Sequence, residues 1–211
     1  MSRRGLVFVA GIVTILAAAP ASAQQQPLSV RGYMTYGNTV FSSTETLEAI
    51  TGETSKAGIG GGATVVGIWR GLFADVGISQ QELDGQRVFE DDGTIYPLGI
   101  PVTIRMRPVD VAGGWRFLFG RLSPYAGAGV SFIDYEEKGD FAGPSDDVSE
   151  SKSGALFLAG LDVAVIRWIH AGAEFRYRAV KGVLGDGGVS EIFGEDQIGG
   201  YAFAVRISIG R

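Results

Sequence analysis

Charged side chains recur inside segments of the sequence that are otherwise apolar, and the chemistry open to them is ion pairing. Five are arginines and four are carboxylates. Buried charges are tolerated when they pair and form hydrogen bonds with one another. The near balance of charge predicts a closed ion-pair network of these residues: Arg31, Asp75, Asp110, Arg116, Asp162, Glu174, Arg176, Arg178 and Arg206.

Other kinds of chemistry have little material in this sequence. The chain has one histidine, His170, and no cysteine, so neither a Ser-His-Asp site nor a His/Cys metal site is expected. Acidic pairs such as Asp146-Asp147 lack the spacing of an EF-hand, and a solvated acidic surface is the simpler interpretation. We therefore expect no enzymatic activity, no cofactor and no metal site.

The segments that carry the charged residues alternate apolar side chains with small or charged ones. The clearest apolar set belongs to the last segment: Tyr201, Phe203, Val205, Ile207 and Ile209. A period of two is typical of a β-strand with one apolar face. The same pattern predicts eight strands, at about 28–37, 58–70, 71–82, 102–118, 121–135, 155–165, 169–179 and 201–211.

Short and long connections alternate between the predicted strands. The short ones are turns at 70–71, near 120–121 and near 167–168. The long ones cover residues 38–57, 82–101, 136–153 and 181–197, and Ser42 to Thr51 in the first could begin a helix by N-capping. In an up-and-down meander this order places all long loops at one end and both termini at the other. That asymmetry is typical of a transmembrane β-barrel.

Charge and aromatic residues follow the same division between ends. The long connections hold 18 of the 23 acids, whereas the short-turn end holds Arg70, Arg121, Arg167 and Arg211. The formal net charge of −5 argues against nucleic acid as a partner. Aromatic residues toward the strand ends predict girdles at the membrane interfaces: Trp69, Trp115, Tyr125, Trp168, Tyr177 and Tyr201.

The N-terminal segment has the pattern of a secretory signal. Arg3 and Arg4 precede the apolar stretch from Leu6 to Ala19, and Pro20-Ala21-Ser22-Ala23 offers a cleavage site of small residues. The apolar stretch is shorter than the roughly 20 residues that a membrane-spanning helix needs. We expect residues 1–23 to be a cleaved signal peptide and 24–211 to be the mature domain.

The signal, the eight-strand meander over 28–211 and the amphipathic last strand together resemble the small bacterial outer-membrane β-barrel proteins of the OmpA/OmpX-like group. Segments 67–73, 96–101 and 124–129 look like those of members of this group. The resemblance implies an all-β fold, an eight-stranded antiparallel up-and-down transmembrane β-barrel in the bacterial outer membrane, with periplasmic termini and long loops outside. It also implies a monomer that meets outer-membrane lipid, lipopolysaccharide and the barrel-insertion machinery.

Several functions are compatible with such a barrel. A lumen filled by ion pairs, together with acidic outer loops, predicts a structural or surface-interaction role. Rearrangement of the pairs could instead open a narrow pore for ions or small solutes. A lipid-modifying barrel enzyme and a soluble, lipocalin-like periplasmic carrier are further alternatives.

Overall fold

The computed structural model describes residues 27–91, 94–139, 148–182 and 195–210. Eight strands form a closed barrel in chain order, and every neighbouring pair is antiparallel. The strands are β1 Ser29–Phe41, β2 Ser55–Val66, β3 Leu72–Asp91, β4 Thr94–Arg116, β5 Leu122–Gly139, β6 Val148–Ile166, β7 Ile169–Lys181 and β8 Gln197–Gly210. One helix, α1 Thr44–Thr51, lies between β1 and β2. The predicted signal segment 1–23 and Asp146-Asp147 lie outside the described residues.

The barrel closes because β1 pairs with β8 as well as with β2. The β1–β8 ladder runs from the Arg31–Gly210 pair to the Phe41–Gly200 pair. Closure leaves no unpaired strand edge in the wall of the barrel. The predicted eight-stranded antiparallel fold is therefore confirmed. Within the described residues, no helix has both the length and the apolar character needed to cross a bilayer.

The three predicted short turns are confirmed, and all lie at the end where β1 begins and β8 ends. At the first turn, Arg70 and Gly71 have φ angles of +44° and +94°, and the Leu72 amide donates to the Trp69 carbonyl at 2.8 Å. Positive φ at both central residues is the conformation that matches the right-handed twist of a two-residue hairpin.

The predicted long connection at 82–101 is wrong, because β3 and β4 continue as paired strands to Asp91 and Thr94. Beyond the Gly85–Val102 pair these two strands form an arm that pairs with no other strand in the described part of the chain. Its side chains at 86–88 and 96–101 are exposed or partly exposed on both faces, so the sequence of the arm has no reason to alternate. The period-two signal therefore stops where the shared barrel wall stops.

Helix α1 is confirmed as a short helix, but its N-terminus is not capped as predicted. Ser43 makes no side-chain capping hydrogen bond. Instead the carboxylate of Glu195, before β8, accepts hydrogen bonds from the amides of Glu45 and Thr46 at 3.2 and 2.8 Å. A carboxylate at this position also interacts favourably with the helix dipole. The pairing is a long-range contact that local sequence rules do not reveal.

The outer surface of the barrel is apolar and the lumen is polar, as the alternation predicts. On β8, Val205 is 60% exposed on the outside while its neighbour Arg206 is buried inside. Trp69, Trp115 and Trp168 are exposed near the turn end, where an interfacial girdle is expected. Tyr125 does not belong to that girdle, because it is 4% exposed and points into the lumen. Its neighbours in β5 are small residues, which leave the phase of the strand undefined in the sequence.

The lumen has an apolar layer at the loop end. Leu47 of α1 is buried there against residues of six strands: Phe41, Leu83, Val102, Ile104, Met106, Ile133, Tyr135, Val180 and Ile198. A second apolar cluster packs around Phe73 and Tyr125, nearer the turn end. The charged residues of the lumen lie between these two clusters and nearer the turn end.

Candidate functional site in the barrel lumen

Arg176 is the centre of an ion-pair network in the lumen. Its Nε lies 2.7 Å from Glu174, its Nη1 lies 2.7 Å from Asp110, and its Nη2 lies 3.0 Å from Asp75. The three carboxylates come from β7, β4 and β3, so one guanidinium joins three parts of the wall. Bonds between an ionised donor and an ionised acceptor are about twice as strong as neutral ones.

Arg206 forms the second bridge of this network, from β8. Its Nη1 lies 2.6 Å from Glu174, and its Nη2 lies 3.4 Å from Asp75 and donates to Thr64. The guanidinium stands 3.7 Å from the centre of the Tyr33 ring. An arginine over an aromatic face is stabilised by the ring quadrupole, more so away from water.

Arg178 completes the network at Asp110. Its Nε and Nη2 donate to the two oxygens of that carboxylate at 3.1 and 2.7 Å. Ser131 donates to the same carboxylate at 2.7 Å. Three arginines, Arg176, Arg178 and Arg206, therefore face three carboxylates, and the network is electrically neutral.

Hydroxyl groups donate to the remaining lone pairs of the network carboxylates. The residues that carry these hydroxyls were not among those predicted to join the network. Tyr33 donates to Asp75 at 3.0 Å, Thr64 donates to Asp75 at 2.6 Å, and Tyr125 donates to Glu174 at 2.8 Å. A usable signal existed for Tyr33, which stands two residues from Arg31 and hence on the same face of its strand. No local signal identifies Thr64, because its partner Asp75 lies on the next strand.

Arg116 and Asp162 form a separate pair nearer the turn end. Arg116 Nη1 lies 2.6 Å from Asp162 Oδ2. The guanidinium also stands 4.4 Å from the centre of the Tyr125 ring. Arg31 joins neither this pair nor the main network among the described residues. The structure thus brings eight of the nine predicted residues into ion pairs and leaves Arg31 apart.

A cavity of about 40 Å³ lies between the network and the polar side chains of β1 to β3, including Thr39, Ser79 and Gln81. A volume of that size holds only a few water molecules. No group of three or more His, Cys, Asp or Glu residues that could hold a metal is present in the described part of the chain.

The loop end carries exposed ion pairs and apolar side chains. Arg105 lies 2.9 Å from Glu82 and 3.8 Å from Glu136, where the arm joins the barrel. Further out, Tyr96 and Leu98 are about half exposed. The loop end therefore presents both acidic and apolar groups beyond the closed lumen.

Comparisons with known proteins agree with this architecture. A search of curated protein sequences gives no match. Among solved structures, a major outer membrane protein of Thermus thermophilus is 8% identical, with 88% of this chain and 100% of that chain covered and a TM-score of 0.54. OprG of Pseudomonas aeruginosa is 11% identical, with 87% of this chain and 95% of that chain covered and a TM-score of 0.51. Neisserial surface protein A is 12% identical, with 86% of this chain and 96% of that chain covered and a TM-score of 0.50.

These structural likenesses, at such low identity, support the barrel fold alone. The family model described as "Outer membrane protein beta-barrel domain" matches residues 9–208 of this chain. The match covers nearly the whole sequence, and the closed barrel with an apolar outside and a charged inside agrees with it. The chain belongs to the outer membrane protein β-barrel domain family and to the bacterial outer membrane.

Proposed function

We propose that this protein is a closed, non-conducting barrel of the outer membrane with a structural or surface-interaction role. The observation that carries the proposal is the neutral network around Arg176, which crosses the lumen and joins β3, β4, β7 and β8. Above it, the apolar layer around Leu47 of α1 closes the loop end. The barrel therefore has two stacked layers of side chains between its ends.

Opening this lumen to ions would be costly. A path past Arg176 requires the guanidinium to leave three carboxylates that are almost completely buried. Breaking a buried pair in this way costs several kcal/mol. A pore would also need the apolar layer to move, because dry apolar constrictions block ions. The narrow pore is therefore the less supported alternative.

Conductance separates the closed barrel from the pore. The full-length folded protein is inserted into planar bilayers in KCl, and insertion is verified by protection from protease. We expect no steady conductance from the wild type or from Leu98→Ser, a control on the arm. Ohmic steps in the wild type that vanish or change size in Glu174→Gln would refute the proposal and establish the pore.

The soluble carrier is disfavoured by the distribution of polarity. A carrier of apolar ligands needs an apolar lumen, whereas this lumen is charged and the large apolar side chains face outward. An enzyme is disfavoured because the carboxylates of the network already have arginine partners. Activity on lipid that is lost on a single substitution would overturn this assignment.

We further propose that the acidic loop end lies outside the cell and that the turns and both barrel termini face the periplasm. The long arm and α1 support this orientation, since outer-membrane barrels have short periplasmic turns. The cysteine-free sequence makes the test direct. Leu98→Cys should react with a membrane-impermeant maleimide on intact cells, and Arg121→Cys should react only after lysis. The reverse pattern would invert the orientation.

We also propose what surrounds the barrel in the outer membrane. We propose a monomer, because the closed ladder of the barrel wall offers no edge for pairing with another chain inside the membrane. Outer-membrane lipid and lipopolysaccharide would contact the apolar outer face, after delivery by the barrel-insertion machinery. Residues 1–23 would be removed on export, so the mass of the mature protein should correspond to a chain that starts at residue 24. Cross-linking of isolated outer membranes into a discrete dimer would contradict the monomer.

A further inference from the structure

The turn end of the lumen contains a second group of polar side chains, which the network does not use. Four of them form a continuous patch on the inner wall across β7, β8 and β1. His170 is paired with Ser208 across the β7–β8 ladder, and Ser208 is paired with Tyr33 across the β8–β1 ladder. Arg31 and Ser29 precede Tyr33 in the chain and lie on the same face of β1, closer to the turn end.

Donor atoms of this group lack partners among the described residues. They belong to side chains that are almost fully buried, apart from Arg31, which is partly exposed. The unpartnered donors are Arg31 Nε and Nη1, Arg116 Nε, Ser29 Oγ and Ser208 Oγ, and His170 Nδ1 is also without a partner. A buried polar group without a partner costs roughly 1–3 kcal/mol. So many in one place indicate a site for a ligand rich in acceptors.

The lumen also has an excess of positive charge, which favours the same kind of ligand as the unpartnered donors do. Asp75, Asp110 and Glu174 are neutralised by three arginines, and Asp162 is bound by Arg116. Arg31 is the remaining arginine of the lumen set, and its stem lies along Gly210, where an added Cβ would come 3.0 Å from Arg31 Cγ. Asp162, the partner of Arg116, lies opposite Gly172 in the β6–β7 ladder, and Gly172 is two residues from His170 on the same face of β7, so these groups are close together.

We propose that this vestibule, formed by Ser29, Arg31, Arg116, His170 and Ser208, binds a phosphate-type oxyanion. A tetrahedral phosphate presents several acceptor oxygens and negative charge, which matches the donors and the unpaired guanidinium. Arginine binds phosphate through two parallel N–H donors. Asp162 Oδ1 is an unpartnered carboxylate oxygen of the group, and a protonated phosphate oxygen can donate to it. The site is separate from the ion-pair network, and phosphate binding would be an activity in addition to the proposed function.

The entrance to this site is at the turn end. Arg31 is its one partly exposed member, and it lies two residues from the start of β1. A free phosphate ion and a phosphate group on a lipid present the same oxygens. Inorganic phosphate has no attached chains, whereas a lipid phosphate would have to enter with its chains remaining outside.

The test uses the full folded protein in a detergent without phosphate, such as octyl glucoside. Inorganic phosphate is titrated and followed by ³¹P line broadening and by the unfolding temperature, which a ligand of the native state raises. A short-chain phosphatidic acid is titrated in parallel to distinguish the two sources. The variants are Arg31→Met, Ser208→Ala and, as a matched control, Arg121→Gln, which removes an exposed arginine at the same end.

We expect saturable binding to the wild type and to Arg121→Gln, with affinity reduced roughly tenfold or more in Arg31→Met. Ser208→Ala leaves the charge intact and should weaken binding less, which keeps the test valid if Arg31→Met fails to fold. Binding of phosphatidic acid alone would assign the site to lipid. Absence of saturable binding of either ligand, or equal loss in Arg121→Gln, would overturn the proposal.

Discussion

Arg176 on β7 and Asp110 on β4 lie 2.7 Å apart across the lumen, although 66 residues separate them in the chain. Two strands, β5 and β6, stand between theirs on the shorter way around the wall. A contact of this kind requires the wall to curve around the lumen. The central network therefore depends on the curvature of the whole wall, and it also holds together strands that share no backbone hydrogen bonds.

Removal of Arg176 should be strongly destabilising. Arg176→Gln leaves Asp75, Asp110 and Glu174 without their shared partner, and such a loss in a buried network costs about 3–5 kcal/mol. Urea unfolding in micelles, followed by tryptophan fluorescence, measures the effect. Arg105→Gln breaks an exposed pair with Glu82 and should change stability by about 0–1 kcal/mol. Equal effects of the two substitutions would show that the network contributes little.

Gly160 should not tolerate even one added methyl group. A Cβ at this position would overlap the ring and hydroxyl of Tyr125, which donates to Glu174. We expect Gly160→Ala to cost about 1–3 kcal/mol in the unfolding free energy. Gly113→Ala is the control, because its nearest neighbour would be 3.6 Å away. A neutral Gly160→Ala would mean that Tyr125 moves without loss of its hydrogen bond.

The apolar layer at the loop end should depend on Leu47. This side chain of α1 is fully buried, and Leu47→Ala leaves a cavity whose cost is about 2–5 kcal/mol. Because α1 has only eight residues, we expect it to loosen first, with faster amide exchange and faster proteolysis at 42–54. Leu98→Ala, at a residue 52% exposed on the arm, should leave both rates unchanged.

A charge on the outer face should distinguish a membrane barrel from a soluble one. Val205→Lys places an ammonium in the middle of the apolar band, where lipid exposure makes it cost about 2–4 kcal/mol. We expect the folded, heat-modifiable band on gels to decrease in outer-membrane fractions. Leu98→Lys changes a similarly exposed residue on the arm and should be neutral. If Val205→Lys were equally neutral, its face would not contact lipid.

Much of the fold follows from local patterns in the sequence. Alternation with period two identifies the eight strands and which face of β6, β7 and β8 is apolar, because each side chain meets either lipid or the lumen. Two-residue turns at 70–71 and 167–168 are likewise local. The pattern does not identify the arm, since its residues have the same surroundings on both faces.

The sequence alone determined the class of the protein, a small barrel with an apolar outside, and which charged residues share its interior, because these depend on a side chain and its near neighbours along the strand. Tertiary structure alone decided the partners. The register between strands places Thr64 beside Asp75, turns Tyr125 toward Glu174 and leaves Arg31 apart with Ser208 and His170. Register depends on how two strands pair, and between β1 and β8 on closure of the barrel, so no single segment contains that information.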